Sequence, residues 1–207
     1  MKYLFILLIL LPALSFAQSN NKPGYIVTLQ GDTIKGFITF KGWNTPDKII
    51  FKNNADAVMQ TYTPTKINGF GLKGGNTYQT YKGRISEDRM DLSSLSIGID
   101  STFSKDTVFL RVVKKGKNVT LLHYKDAIKD RFFIAEKNGP PTELIYRAYV
   151  SNIKNRTGLI ETFDTKYQKQ LHALRIKYRP DEAQLINAIQ TAQYTEKDLV
   201  KIINKLN

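Results

Sequence analysis

The sequence predicts an α+β protein: an antiparallel β-rich domain, either a sandwich or an open barrel, followed by a short C-terminal helical segment. Three observations carry that prediction. From Gly24 to about Ile153, short runs of alternating or apolar residues recur between turn residues. Pro140-Pro141 excludes a helix across its own boundary in that region. After Asn155-Arg156-Thr157-Gly158 the apolar spacing lengthens from two residues to three and four. The expected organisation is therefore a leader over 1–17, a β-rich domain over 18–158 and a helical segment over 159–207.

The first residues, MKYLFILLILLPALSFAQ, have the three parts of a secretory signal peptide. Lys2 supplies the positive start, Leu4 to Leu11 is an unbroken apolar core, and Ser15-Phe16-Ala17 places small residues where a signal peptidase reads. Cleavage is expected between Ala17 and Gln18. The apolar run is too short to span a bilayer, and no later segment approaches the ~20 apolar residues that a membrane helix requires. With no cysteine in the chain, no disulfide framework or thiolate metal site is available. These features predict an exported protein of a Gram-negative bacterium, in the periplasm or associated with the outer membrane.

GYIVTLQGDTIKGFITF, Gly24 to Phe40, has the pattern of a β-hairpin. Gly31-Asp32 suits a two-residue type II′ turn. That turn pairs Leu29 with Ile34, Val27 with Gly36 and Tyr25 with Ile38, and sets these against Ile26, Thr28, Lys35 and Thr39 on the other face. Strands are next expected at KIIFK, AVMQTYT, KINGFGL and TYQTYKGRI. A second hairpin joins TVFLRVV to NVTLLHY through Lys114-Lys115-Gly116-Lys117, and RFFIAE and ELIYRAYV follow. In the helical segment, Tyr167, Leu171, Leu174 and Tyr178 form one stripe, which Pro180 ends. Asp181 is placed to cap a second helix with Leu185, Ile186 and Ile189 inward. Thr195 and Asp198 resemble a capping box before a third, with Leu199, Ile202, Ile203 and Leu206 inward.

The order GYIVTLQGDTIKGFI, YTPTKINGFG, VFLRVVKKGKNVTLLHYKD, YTEKDLVKIIN resembles a family of exported bacterial proteins. In that family a β-rich domain and a short helical segment often precede an outer-membrane β-barrel of the PorT-like kind. The resemblance spans nearly all of the chain after the leader and implies an envelope location. It brings no catalytic motif and so no site residue. The expectation is that this chain, which ends just after YTEKDLVKIINKLN, lacks the barrel and its function.

Charge narrows the functional classes. The chain carries 31 Lys+Arg against 18 Asp+Glu. Without the leader, residues 18–100 hold 10 against 7, residues 101–158 hold 12 against 5, and residues 159–207 hold 8 against 6. The excess lies in the middle third, around the second hairpin. Arg111, Lys114, Lys115, Lys117 and Lys125 are the candidate anion- or partner-binding residues, facing lipopolysaccharide phosphates, lipid headgroups or an acidic protein face. The competing reading of a charged hairpin tip is protection against edge pairing. The basic character would suit nucleic acid, but export removes that partner.

Catalytic motifs are missing from the sequence. His123 and His172 are the only histidines, with no metal-ligand spacing, so neither a metal nor another cofactor is implied. No serine lies in a G-x-S-x-G elbow. The glycine-rich NGFGLKGGN lacks the Lys-Ser/Thr of a phosphate loop and precedes a strand. Glu87, Asp88 and Asp91 in SEDRMD would serve a hydrolase only if two of them shared a cleft. The reading is therefore a non-enzymatic envelope domain that docks to a protein or anionic surface. A carboxylate-dependent envelope hydrolase and a barrel binding a small apolar ligand are the alternatives.

Overall fold

The computed structural model describes residues 21–40, 44–137, 139–152 and 159–207. The leader with Ala17 and Gln18, and the boundary at 155–158, lie outside the described residues. The strands are β1 (Lys22–Thr28), β2 (Thr33–Thr39), β3 (Ile49–Lys52), β4 (Gln60–Tyr62), β5 (Ile67–Leu72), β6 (Thr77–Ser86), β7 (Phe103–Lys114), β8 (Val119–Lys125), β9 (Asp130–Glu136), β10 (Thr142–Leu144), β11 (Arg147–Asn152) and β12 (Leu159–Asp164). Three helices follow, α1 (Lys166–Tyr178), α2 (Ala183–Thr191) and α3 (Glu196–Leu206). The α+β class holds: the β-rich part is one antiparallel sheet that stays open and does not close into a barrel. Ten strands run in the order β10-β9-β8-β7-β6-β5-β1-β2-β3-β4, and β11 pairs with β12 in a separate ribbon.

The sheet is curled at its β1–β5 end. Residues 63–66 alone connect β4, at the edge, to β5, which lies beyond β3, β2 and β1. Four inter-strand steps of a flat sheet span ~19 Å, whereas five extended residue steps reach at most ~18 Å. A turn bond from Lys66 N–H to the Thr63 carbonyl (2.9 Å) shortens the link further. The curl encloses a core of Ile26, Ile38, Ile49, Phe51, Ile67, Phe70, Tyr78 and Phe109. Gly36 makes room for it, since a Cβ there would stand 2.6 Å from the Phe51 ring.

The first hairpin forms, but in another register. Ile26 faces Ile34 and Lys22 faces Ile38, a shift of three residues from the two-residue turn. The loop is Leu29-Gln30-Gly31, closed by Thr28 N–H to the Asp32 carbonyl (2.9 Å) and Gly31 N–H to the Thr28 carbonyl (3.1 Å). Gly31 does hold a positive φ of 95°, at the last loop position where a three-residue hairpin needs it. The faces change accordingly. Ile26 is in the core, while Leu29 and Ile34 are exposed.

The strand expected over ELIYRAYV is broken in two. Gln170 of α1 accepts from the Ile145 N–H (2.8 Å) and donates to the Glu143 carbonyl (2.7 Å). Tyr167 N–H donates to the Ile145 carbonyl (2.8 Å). A helix side chain thus takes the place of a neighbouring strand, and the chain turns from β10 into the β11–β12 ribbon. β12 is itself a strand inside the segment read as helical, so helix begins only at Lys166.

The helices cover one face of β8–β10. Val119, Leu121, Phe132, Ile134 and Leu144 pack with Tyr167, Leu171, Leu185, Ile189, Leu199, Ile202, Ile203 and Leu206. Four fully buried aliphatic side chains on α3 contribute about 6–12 kcal/mol of burial, enough to order an 11-residue helix that is marginal alone. Thr195 caps α3 by accepting from Asp198 N–H (3.3 Å), but the Asp198 carboxylate takes Gln193 N–H instead of closing the box. The Asp181 cap does not form, and Ile186 is exposed. Among the described residues no helix is long and apolar enough to cross a membrane.

Candidate functional site

The second hairpin is opened by a bulge. Arg111 pairs with His123 and Val112 with Leu122, then the register slips so that Lys114 faces Leu121. A bulge adds twist and ends regular pairing, so Lys114 belongs to β7 and the tip spans 115–118. Beyond it, Val119 has no β7 partner. The side chain of Asn207 fills that ladder position. Its Oδ1 accepts from Asn118 N–H (2.7 Å) and Val119 N–H (3.0 Å), and its Nδ2 donates to the Val119 and Ile203 carbonyls (3.0 and 2.8 Å). Asn118 Nδ2 returns a bond to the Leu206 carbonyl (2.9 Å). The tip is therefore braced by the end of α3.

The five candidate cations do not form one patch. Lys114, Lys115 and Lys117 are exposed and pair with no carboxylate among the described residues. Arg111 is neutralised by Glu196 of α3 and also donates to His123 Nδ1 (3.1 Å). Lys125 lies at the opposite end of β8, ~20 Å away by strand rise, and pairs with Asp130 (3.0 Å). Alternation along a strand does not show which carboxylates other elements bring.

Other cations join the tip instead. Lys137 N–H donates to the Asn118 carbonyl (3.0 Å), and Arg179 Nε donates to the Lys205 carbonyl at the end of α3 (3.1 Å). Lys137, Arg179 and Lys205 are exposed. One end of the molecule thus presents six cations from a hairpin, a strand end and two helix ends. Glu136 lies beside them and is bound to Lys177 and Tyr178.

The acidic cluster disperses. Asp88 is buried and accepts from Lys129 Nζ through both oxygens (2.8 Å each). Asp91 is held by Arg89 and Ser93, and Glu87 is exposed. The ionic network around Asp88 joins residues far apart in the sequence. Arg131 is fully buried, donating to the Ser86 carbonyl (2.8 Å) and pairing with Asp126 (2.9 Å). Glu143 accepts from Ser86 N–H (3.0 Å) and Ser86 Oγ. Arg147 lies 3.7 Å from Asp88 and 3.1 Å from Asp164. Burial lowers the pKa of Lys129, and the Asp88 hydrogen bond opposes that shift. The one signal in the sequence is a charge at or within an apolar run, Arg131 just before FFIA and Arg147 inside LIYRAYV.

No group of three or more potential metal ligands occurs among the described residues. No family model, curated protein or solved structure matches this chain.

Proposed function

We propose that this protein is a non-enzymatic, exported cell-envelope module that docks through its basic end to an anionic envelope surface, such as lipopolysaccharide phosphates or acidic lipid headgroups. The carrying observation is the braced second hairpin, where Lys114 at the end of β7 and Lys115 and Lys117 at the tip pair with no carboxylate among the described residues and Asn207 supports the turn. A rigid cationic tip loses little conformational freedom on docking. Its neighbours Lys137, Arg179 and Lys205 widen the contact. The leader and the likeness to domains that precede PorT-like barrels support the envelope location.

The test is sedimentation with vesicles of mixed phosphatidylglycerol and phosphatidylcholine, and with lipopolysaccharide, at two salt concentrations. Each lysine near such a surface is worth about 1 kcal/mol, so Lys114→Gln/Lys115→Gln/Lys117→Gln should weaken binding roughly a hundredfold. Wild-type binding should fall steeply as the Debye length contracts below ~8 Å. Thermal stability should barely move, because the three side chains bury little. Equal binding by wild type and triple variant would overturn the reading.

A further inference from the structure

A second site lies away from the basic end. Between β6, β7, β10 and the start of α1 is an open cleft of about 580 Å³, whose lining includes Tyr81, Arg84, Phe103, Glu143, Arg147 and Lys166. That volume is in the range of small-ligand sites, ~300–1,000 Å³. Its charge is unbalanced. Arg84 and Lys166 are exposed and pair with no carboxylate among the described residues. Glu143, the one acidic lining residue, is occupied by Ser86.

Arg147 adds a third cation to the lining. Its side chain is 8% exposed and is held from behind by two carboxylates, Asp164 at 3.1 Å from a terminal nitrogen and Asp88 at 3.7 Å from Nε. Phe103 adds an apolar ring beside two of the cations. The Arg84 guanidinium sits 4.3 Å from its ring centroid and that of Arg147 sits 5.6 Å away. The two guanidinium groups therefore lie no more than about 10 Å apart, so both charges act on the same cleft.

We propose that this cleft binds a small organic anion, a carboxylate or phosphate ester carried on an apolar ring. The acid group sits between Arg84 and Lys166 and reaches toward Arg147, while the ring lies against Phe103 and Tyr81. Guanidinium groups suit such oxyanions because their planar donors match the oxygens in pairs. The backing carboxylates Asp88 and Asp164 hold Arg147 in place and limit the site to one or two negative charges.

Titration calorimetry on the full chain, with phenyl phosphate as the probe, tests this. Inorganic phosphate serves as the charge-only control and benzyl alcohol as the ring-only control. Phenyl phosphate should bind about tenfold or more tightly than either control, and Arg84→Gln/Lys166→Gln should weaken it by a similar factor or more. Phe103→Leu should reduce phenyl phosphate to the level of inorganic phosphate. Both cations are exposed, so the double variant should keep its fold. The triple variant of the hairpin tip should bind phenyl phosphate as the wild type does, which separates this site from the basic end. Undiminished binding by the Arg84/Lys166 variant, or equal binding of phenyl phosphate and inorganic phosphate by the wild type, would overturn the proposal.

Discussion

His123 is held through both ring nitrogens, and its protonation state follows from who donates. Arg111 is a permanent donor to Nδ1 (3.1 Å), so the ring proton rests on Nε2, facing Asp130 Oδ1 at 2.7 Å. Burial lowers the pKa below the ordinary 6.5; the Asp130 hydrogen bond raises it, and the Arg111 charge lowers it further. Glu196, on the far side of Arg111, also favours the charged form. The unfolded chain takes up this proton near 6.5, the folded chain only at lower pH. Stability is therefore complete above 6.5 and falls as the pH drops below it towards the folded value. Thermal melts between pH 7.5 and 5.5 should show that decline in the wild type and a flatter profile in His123→Gln. The carboxylates nearby titrate lower, since Asp130 is itself shifted down from 3.8. A wild-type profile as flat as the variant's would mean that His123 is not buried as described. None of this pairing is visible in NVTLLHY. Alternation marks His123 as a strand residue, but Glu196 and Asp130 arrive from α3 and the start of β9. The same holds for Asp88 and Lys129, which occupy turns in sequence and become buried partners only in the fold.

At the scale of elements, strand positions are legible and registers are not. Both hairpins carry an apolar run on either side of a glycine-bearing turn, and that pattern is satisfied by more than one pairing. The first adopts a three-residue loop because Gly31 takes the final, left-handed position. The second slips at its bulge between Val112 and Lys114, and beyond it Asn207, 88 residues from Val119, supplies the bonds that a β7 neighbour would have made. Gly116 is part of that arrangement. It is not among the positive-φ glycines, so it is there for space: a Cβ would collide with the Asn207 amide. Gly116→Ala should therefore cost about 1–3 kcal/mol, as overpacking does. In an Asn207→Ala background the same substitution should cost much less. A double-mutant cycle by urea denaturation measures the difference, and simple additivity would show that the two residues do not meet. The three helices were the most readable elements, since the Leu199, Ile202, Ile203, Leu206 stripe is buried throughout. The break between β10 and β11 had no signal, because it is made by Gln170 of a helix that follows later in the chain.

Across the whole molecule, the curled sheet end and the helix-covered end have separate apolar cores, yet β6 and β7 serve both sides of the sheet. Tyr78 and Phe109 belong to the core of the curl, while Ile85, Val108 and Leu110 of the same two strands pack with Leu122 and Phe133 in a third cluster, on β8 and β9, whose Leu121, Phe132 and Ile134 pack against the helices. Their pairing runs through nine successive residue pairs, from Tyr78 with Arg111 to Ser86 with Phe103. A strand pair of that length cannot separate in one half while remaining paired in the other without stranding buried amides. The two ends should therefore unfold together. Phe109 is fully buried in the curled end, and Phe109→Ala should cost about 3–5 kcal/mol. If the ends are coupled, amides of α3, in the far core, should exchange faster by the same factor as amides of β2, on the order of a hundredfold or more. Native-state hydrogen exchange followed by mass spectrometry on wild type and variant makes the comparison directly. Acceleration confined to β1–β5, with α3 still protected, would show that the helical layer folds on its own and that β6–β7 is a joint between two cooperative units.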